Sequence, residues 1–161
     1  TLAAIAFGSE PALKEFMKDK PVPRSESIVT KQMLIRVCVS AAYITGICLS
    51  ILFLPAVRNL FGLVDVTYLK SALFATFMMA ITFNGFNART DHFNPFENIG
   101  RNKNFLLVMG AILVMQFIFV TFGGEALSVE RLSLPSWLIC AALAFIIIPI
   151  NMILKTIMHK K

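Results

Sequence analysis

The chain has 161 residues, of which 57% are hydrophobic and only 15% charged, and its mean hydropathy is +0.76. A soluble domain averages about 45–50% apolar and about 25% charged residues, so this composition argues against a water-soluble globule. The net charge of +6 does not signal nucleic acid, because the basic residues collect at the ends of apolar stretches rather than in a patch interleaved with aromatics.

In chain order, residues 1–9 are apolar but too short to cross a bilayer, and read as the end of a helix whose first half is missing. With no initiator Met and no basic n-region of a signal peptide, the sequence reads as a piece of a larger protein. Residues 10–32 are polar, with five basic residues and with prolines at Pro11, Pro21 and Pro23. Proline removes an amide donor and disfavours helix in the residue before it, so this stretch is expected to be a structured loop.

Four apolar spans follow, at 33–54, 67–86, 105–122 and 136–154. They coincide largely with charge-free windows of 21, 18, 21 and 23 residues, Arg36 and Lys70 lying near the starts of the first two spans. A helix needs about 20 apolar residues to cross the hydrocarbon core, so the expected fold class is an all-α integral membrane bundle of four transmembrane helices. Pro55 closes the first span, Gly123 and Gly124 the third, and Pro135 sits where a helix N-terminus tolerates it. Pro149 lies inside the fourth span and predicts a kink there, with neighbouring helices covering the freed carbonyl.

The basic residues set the expected orientation. Twelve of them flank the start of the first span, the loop between the second and third, and the end of the fourth; only Arg58, Lys70 and Arg131 lie at the opposite ends. By the positive-inside rule the long first loop, the central loop and the C-terminus are cytoplasmic. Tyr68 and Trp137 fall at outer helix ends, where amphipathic rings prefer the interface.

No Asp, Glu, Lys, Arg or His lies in the middle of any span. Proton-coupled transporters usually retain such a group despite its cost, because it carries the chemistry. The intramembrane polar residues are Asn84, Asn87, Gln116 and Asn151, with hydroxyls at Thr45, Thr76 and Thr82. Side-chain amides can ligate a cation, but hydrogen bonding between helices is their commoner use. Gly46 and Ser50 form a small-x-x-x-small pair that predicts helix packing. Cys38, Cys48 and Cys140 lack a C-x-x-C pattern or nearby histidine and read as buried small side chains. No phosphate-binding loop, nucleophile elbow or histidine pair is present, so no catalytic residue and no metal site is expected in this chain.

Several stretches in order resemble the C-terminal transmembrane domain of type II P-type ATPases, nearest the plasma-membrane calcium pumps. Thr1-Leu-Ala-Ala-Ile-Ala-Phe-Gly-Ser-Glu-Pro11 resembles the second half of that family's sixth membrane helix. Met17-Lys-Asp-Lys-Pro-Val-Pro-Arg24 resembles the cytoplasmic loop that follows. Phe83-Asn-Gly-Phe-Asn-Ala-Arg89 resembles the end of the eighth helix, and Phe93-Asn-Pro-Phe-Glu-Asn-Ile-Gly-Arg-Asn102 the next loop. The resemblance extends over residues 1–161 and implies that the four spans are helices seven to ten of a cation pump in a multi-pass membrane setting, the bacterial inner (plasma) membrane.

It also implies that the parent protein uses ATP and Mg2+ to export Ca2+ through an aspartyl phosphate. The catalytic domains and helices one to six lie upstream, and an ion-ligating Asp is expected just before Thr1. No cofactor is expected in the chain itself, and its partners are the lipid bilayer and that upstream part. Asp19, Lys20, Pro21, Pro23 and Arg24 match the loop that couples phosphorylation to the ion site; a rigid polar connector is the alternative reading. Sarcoplasmic-reticulum pumps carry a carboxylate where this chain has Ile81. Two further readings stand beside the pump: an accessory or structural four-helix membrane protein, and a small four-helix exporter, which would be expected to carry a membrane carboxylate that is absent here.

Overall fold

The computed structural model describes residues 6–8, 29–62, 65–90 and 92–159. Residues 6–8 are helical. The long helices are α1 (Lys31–Phe53), α2 (Val66–Ala88), α3 (Lys103–Phe122), α4 (Leu134–Phe145) and α5 (Ile147–His159). A short helical turn, Pro55–Arg58, continues past α1, and among the described residues there is no strand.

Each span begins on a side chain suited to it. Thr30, Asp65, Asn102 and Ser133 cap α1, α2, α3 and α4, each accepting a hydrogen bond from a backbone amide two or three residues on. These amides have no partner inside the helix, so an oxygen at the N-cap spares their burial cost. The caps also explain why α3 starts at Lys103, two residues before the apolar run at 105. At Asp65, hydrogen bonds from the backbone of Val66 and then of Thr67 hold the carboxyl below its usual range.

Four segments are long and apolar enough to cross a membrane: Lys31–Phe53, Val66–Ala88, Lys103–Phe122 and Leu134–Met158, the last made of α4 and α5 together. They alternate in direction. Tyr68, in the first turn of α2, donates to Ser136 at the start of α4, while Lys155 near the end of α5 reaches Asn87 at the end of α2. One end of the bundle therefore gathers Lys31, Arg36, Arg89, Arg101, Lys103 and Lys155, and is called the basic end below.

Helix α2 is the hub, packing on α1, α3, α4 and α5, and is the most buried of the spans. Its inward face is small: Ser71, Ala72, Ala75, Thr76 and Ala80 are all buried. Lipid tails give no hydrophobic drive for helices to associate, so close backbone approach and dispersion must supply it, and small residues permit both. Against this face sit Trp137, Cys140 and Ala144 of α4 and Ile147 and Ile148 of α5. A separate cluster joins Phe105 and Met109 of α3 to Ala6, with Phe86 edge-on to Phe105. Large apolar side chains such as Leu107, Phe122 and Leu138 point outward, as a lipid-facing surface requires.

Three expectations change. The fourth span is interrupted at Ile146, three residues ahead of Pro149. The proline ring crowds the carbonyl four residues back, that of Phe145, so the distortion falls upstream of the proline itself. The Tyr43 hydroxyl of α1 donates to Leu143 O at 2.5 Å, two residues before the carbonyl that the proline frees. Gly46 and Ser50 do not pack against another span. A Cβ at Gly46 would meet nothing within 4 Å, and Ser50 turns its hydroxyl onto the Gly46 carbonyl of its own helix at 2.7 Å. Of the cysteines only Cys140 is buried; Cys38 is exposed and Cys48 half-buried, because α1 shows much of its surface to the outside.

Candidate functional site

Three of the four intramembrane amides converge near the basic end. Asn84 and Asn87 lie one turn apart near the end of α2, and Asn151 faces them from α5. Ser40 of α1 completes the group. Its hydroxyl lies 3.2 Å from Asn84 Oδ1 and donates to it, and Asn151 Nδ2 donates to Ser40 Oγ at 3.1 Å and to Asn84 Oδ1 at 3.4 Å. Asn87 Nδ2 and Asn151 Nδ2 both donate to Ile147 O, at 3.2 and 3.1 Å. The network thus ties α1, α2 and α5 together just beyond the break in the fourth span. That is the interhelical use of side-chain amides.

Asn87 is the exception to full satisfaction. It is 3% exposed, and its Oδ1 has no hydrogen-bond partner. Asn87 also lines a cleft of about 390 Å³ between α1, α2 and α5, whose wall includes Thr30, Met33, Arg36 and Val37 of α1 as well as Ser40, Asn84 and Asn151.

Below this network Lys155 closes the end of α2. It is 3% exposed, and its ammonium donates to Asn87 O at 3.0 Å, Thr90 O at 2.7 Å and His92 O at 3.1 Å. A cation at the C-terminus of a helix meets carbonyls that lack intrahelical donors and the negative end of the macrodipole. The adjoining loop is tied further. Arg89 donates to the carbonyls of Pro95 and Glu97 and stacks over the Phe105 ring, while His92 Nδ1 lies 2.9 Å from a Glu97 carboxylate oxygen.

Gln116 stands apart from the amide cluster. It is buried on α3, donates from Nε2 to Ala75 O at 2.8 Å, and leaves Oε1 without a partner. Thr76 and Thr82 return their hydroxyls to Ala72 O and Met78 O of their own helix, and Thr45 is exposed. Asp19, Lys20, Pro21, Pro23 and Arg24 lie outside the described residues. Among the described residues no three of His, Cys, Asp and Glu stand close enough to hold a metal. Ile81, one turn before Asn84, is 46% exposed on α2 and not packed inside the four spans.

Ser40 and Lys155 were not visible as site residues in the sequence. Lys155 carried a signal nonetheless: it stands four residues after Asn151, hence on the same helical face. Ser40 had none, since serine is common in apolar spans and its partners are 44 and 111 residues away.

Four membrane-length helical segments cross-linked by buried amides define a polytopic membrane domain. Residues 1–157 match the family described as cation transporting ATPase, C-terminus, and the chain belongs to that family. It is 31% identical, over 98% of its length, to the calcium-transporting ATPase PAT1 of Dictyostelium discoideum. It is 29% identical over its full length to the plasma membrane calcium-transporting ATPase mca-1 of Caenorhabditis elegans. Calcium-transporting ATPase 12, plasma membrane-type, of Arabidopsis thaliana is 32% identical over 98% of the chain. The chain covers 15%, 14% and 15% of these relatives respectively.

Proposed function

We propose that this chain is the C-terminal membrane part of an ATP-driven calcium pump, and that its task is to brace the upstream ion-binding helices rather than to bind the ion. The observation that carries this reading is the amide network of Ser40, Asn84 and Asn151, whose groups are spent on one another, in spans without a carboxylate. Family membership and relatives named for calcium transport support the cargo. ATP and Mg2+ act in upstream domains on this reading, and the loop with Asp19, Lys20, Pro21, Pro23 and Arg24 relays phosphorylation to the membrane. The basic end faces the cytosol, because basic flanks are retained on that side.

The test is the full-length protein in sealed vesicles. ATP-dependent calcium uptake is expected from the full-length pump, and no phosphoenzyme on this 161-residue stretch. Single cysteines at Asn98 and at Asn59 or Ser128 should react with an impermeant thiol reagent from opposite faces, Asn98 from the cytosolic one. Loss of calcium uptake, or reversed labelling, would overturn the corresponding half of the reading.

A further inference from the structure

Helix α2 packs on α1, α3, α4 and α5, yet one stripe of it stays exposed: Lys70, Phe74, Phe77 and Ile81, spaced four, three and four residues apart. That spacing keeps them on one face of the helix. At the basic end the stripe leads to Gly85, where the chain already supplies a neighbour. A Cβ at Gly85 would stand 3.8 Å from the Phe7 ring and 3.2 Å from Met109 of α3. Ala6 has no exposed surface, packs with Phe105 and Met109, and its carbonyl accepts from Asn102 Nδ2 at 3.4 Å. Helix carbonyls point toward the helix C-terminus, and Asn102 caps α3 at the basic end. The helix that holds residues 6–8 therefore runs toward the basic end, parallel to α2, and enters from between α2 and α3.

A trough continues in that direction. Its α2 wall is the exposed stripe. On α3, Val108 and Ile112 pack against the Ala6 cluster, and Met115 and Phe119, seven residues further on the same face, are exposed. At the outer end Lys70, Phe74 and Phe119 line a cavity of about 440 Å³, so the two walls face one another there too. We propose that this trough seats the membrane helix to which residues 6–8 belong, in the part that precedes Ala6 in the full-length protein. The eleven residues from Phe74 to Gly85 span about 16 Å, so about eleven residues ahead of Phe7 reach the outer cavity. An acyl chain in the trough would leave that helix no room to continue, since residues 6–8 already fill the basic end against Phe105 and Met109. The rings of Phe74 and Phe77 stand out from the α2 wall, which favours small side chains opposite them and a close approach of the backbones. The seat rests on the bracing role proposed above, and makes the α2–α3 face the surface that performs it.

The experiment uses the full-length protein in membrane vesicles, with its native cysteines replaced and a protease site inserted between residues 10 and 28. One cysteine is placed at Phe74, Phe77 or Ile81, and a second is moved through the residues ahead of Ala6. Copper phenanthroline oxidises neighbouring thiols to a disulfide, which holds the two fragments together after cleavage. The expected result is a parallel register: Ile81→Cys joins the turn nearest Ala6, and Phe77→Cys and Phe74→Cys join successively earlier turns. Leu107→Cys, on an outward face of α3, should join none of them. With single cysteines, a membrane-soluble maleimide should label Leu107→Cys several-fold faster than Phe77→Cys, a readout that decides the matter if a paired variant fails to fold. A reversed register, no disulfide from any of the three positions, or disulfides formed only between two copies of the chain would each overturn the proposal. So would equal labelling of Phe77→Cys and Leu107→Cys, which would place lipid in the trough. Calcium uptake by the same vesicles is read separately. The expected disulfides without uptake would strike the pump reading and leave the seat, whereas uptake with the wrong disulfides would strike the seat alone.

Discussion

At the scale of single residues, burial and hydrogen bonding separate two kinds of polar group that look alike in the sequence. Lys155 reads as one more basic flank of an apolar span, yet its ammonium is buried against three carbonyls. Hydrogen bonds to a charged group are each worth more than neutral ones, so Lys155→Met is expected to cost about 2 kcal/mol. Lys155→Arg should recover part of it by keeping the charge at the end of α2. The thermal midpoint of the purified full-length protein checks this, and an unchanged midpoint in Lys155→Met would show that the contacts are not cohesive. Glycines divide in the same way. A Cβ at Gly123 would overlap the Phe119 carbonyl oxygen and stand 2.6 Å from Leu127 Cδ1, whereas one at Gly46 meets nothing within 4 Å. Gly123→Ala should therefore destabilise by about 1–3 kcal/mol. Gly46→Ala should be neutral or slightly stabilising, since alanine favours helix by about 1 kcal/mol. Equal midpoints for the two variants would contradict this account.

At the scale of elements, the spans were legible because charge and length fix them with little help from tertiary contacts. A stretch of 21 residues without a charge, from Val37 to Val57, has few places to be other than lipid. The caps Thr30, Asp65, Asn102 and Ser133 are local features as well, but the apolar runs alone do not single them out. The break at Ile146 was legible only in outline, since Pro149 announces a distortion but not which peptide absorbs it. What the sequence could not show is which faces meet. Gly46 and Ser50 have the spacing of a packing motif and remain outside the packed faces, while the cluster of Ser40, Asn84 and Asn151 depends on rotations of three helices that no local pattern encodes. That cluster makes a quantitative expectation. The Ser40–Asn151 contact should show a coupling of about 0.6 kcal/mol, and no more than about 1.7, in a double-mutant cycle of Ser40→Ala and Asn151→Leu. The cycle is read from reversible unfolding in mixed micelles. A coupling indistinguishable from zero would reduce the network to incidental proximity.

At the scale of the whole molecule, the distribution of carboxylates bounds what these spans contribute to transport. Asp65, Glu97, Glu125 and Glu130 all lie between spans, and no acidic residue stands within one. Calcium takes about 6–8 oxygen ligands, and its sites usually include carboxylates. A second dehydrated calcium held by neutral amides alone would face a large desolvation cost with little charge to offset it. Two of the amide oxygens are in any case engaged: Asn84 Oδ1 accepts from Ser40 and Asn151, and Asn151 Oδ1 accepts from Ser40. By resemblance, Ile81 stands where sarcoplasmic-reticulum pumps carry an acid, and its side chain offers no oxygen. On the proposed calcium-pump function, the intact protein should accordingly move one calcium ion per ATP rather than two. Because Ile81 is 46% exposed and outside the packed faces, Ile81→Leu should leave calcium affinity nearly unchanged. Ile81→Glu should leave the internal packing of the four spans intact, so its effect on transport is readable rather than lost to misfolding. The measurement is calcium transported per ATP hydrolysed by the reconstituted full-length protein, with the calcium dependence of hydrolysis as a second readout. A ratio near two, or cooperative activation by calcium in the natural sequence, would show that these helices do complete a second site.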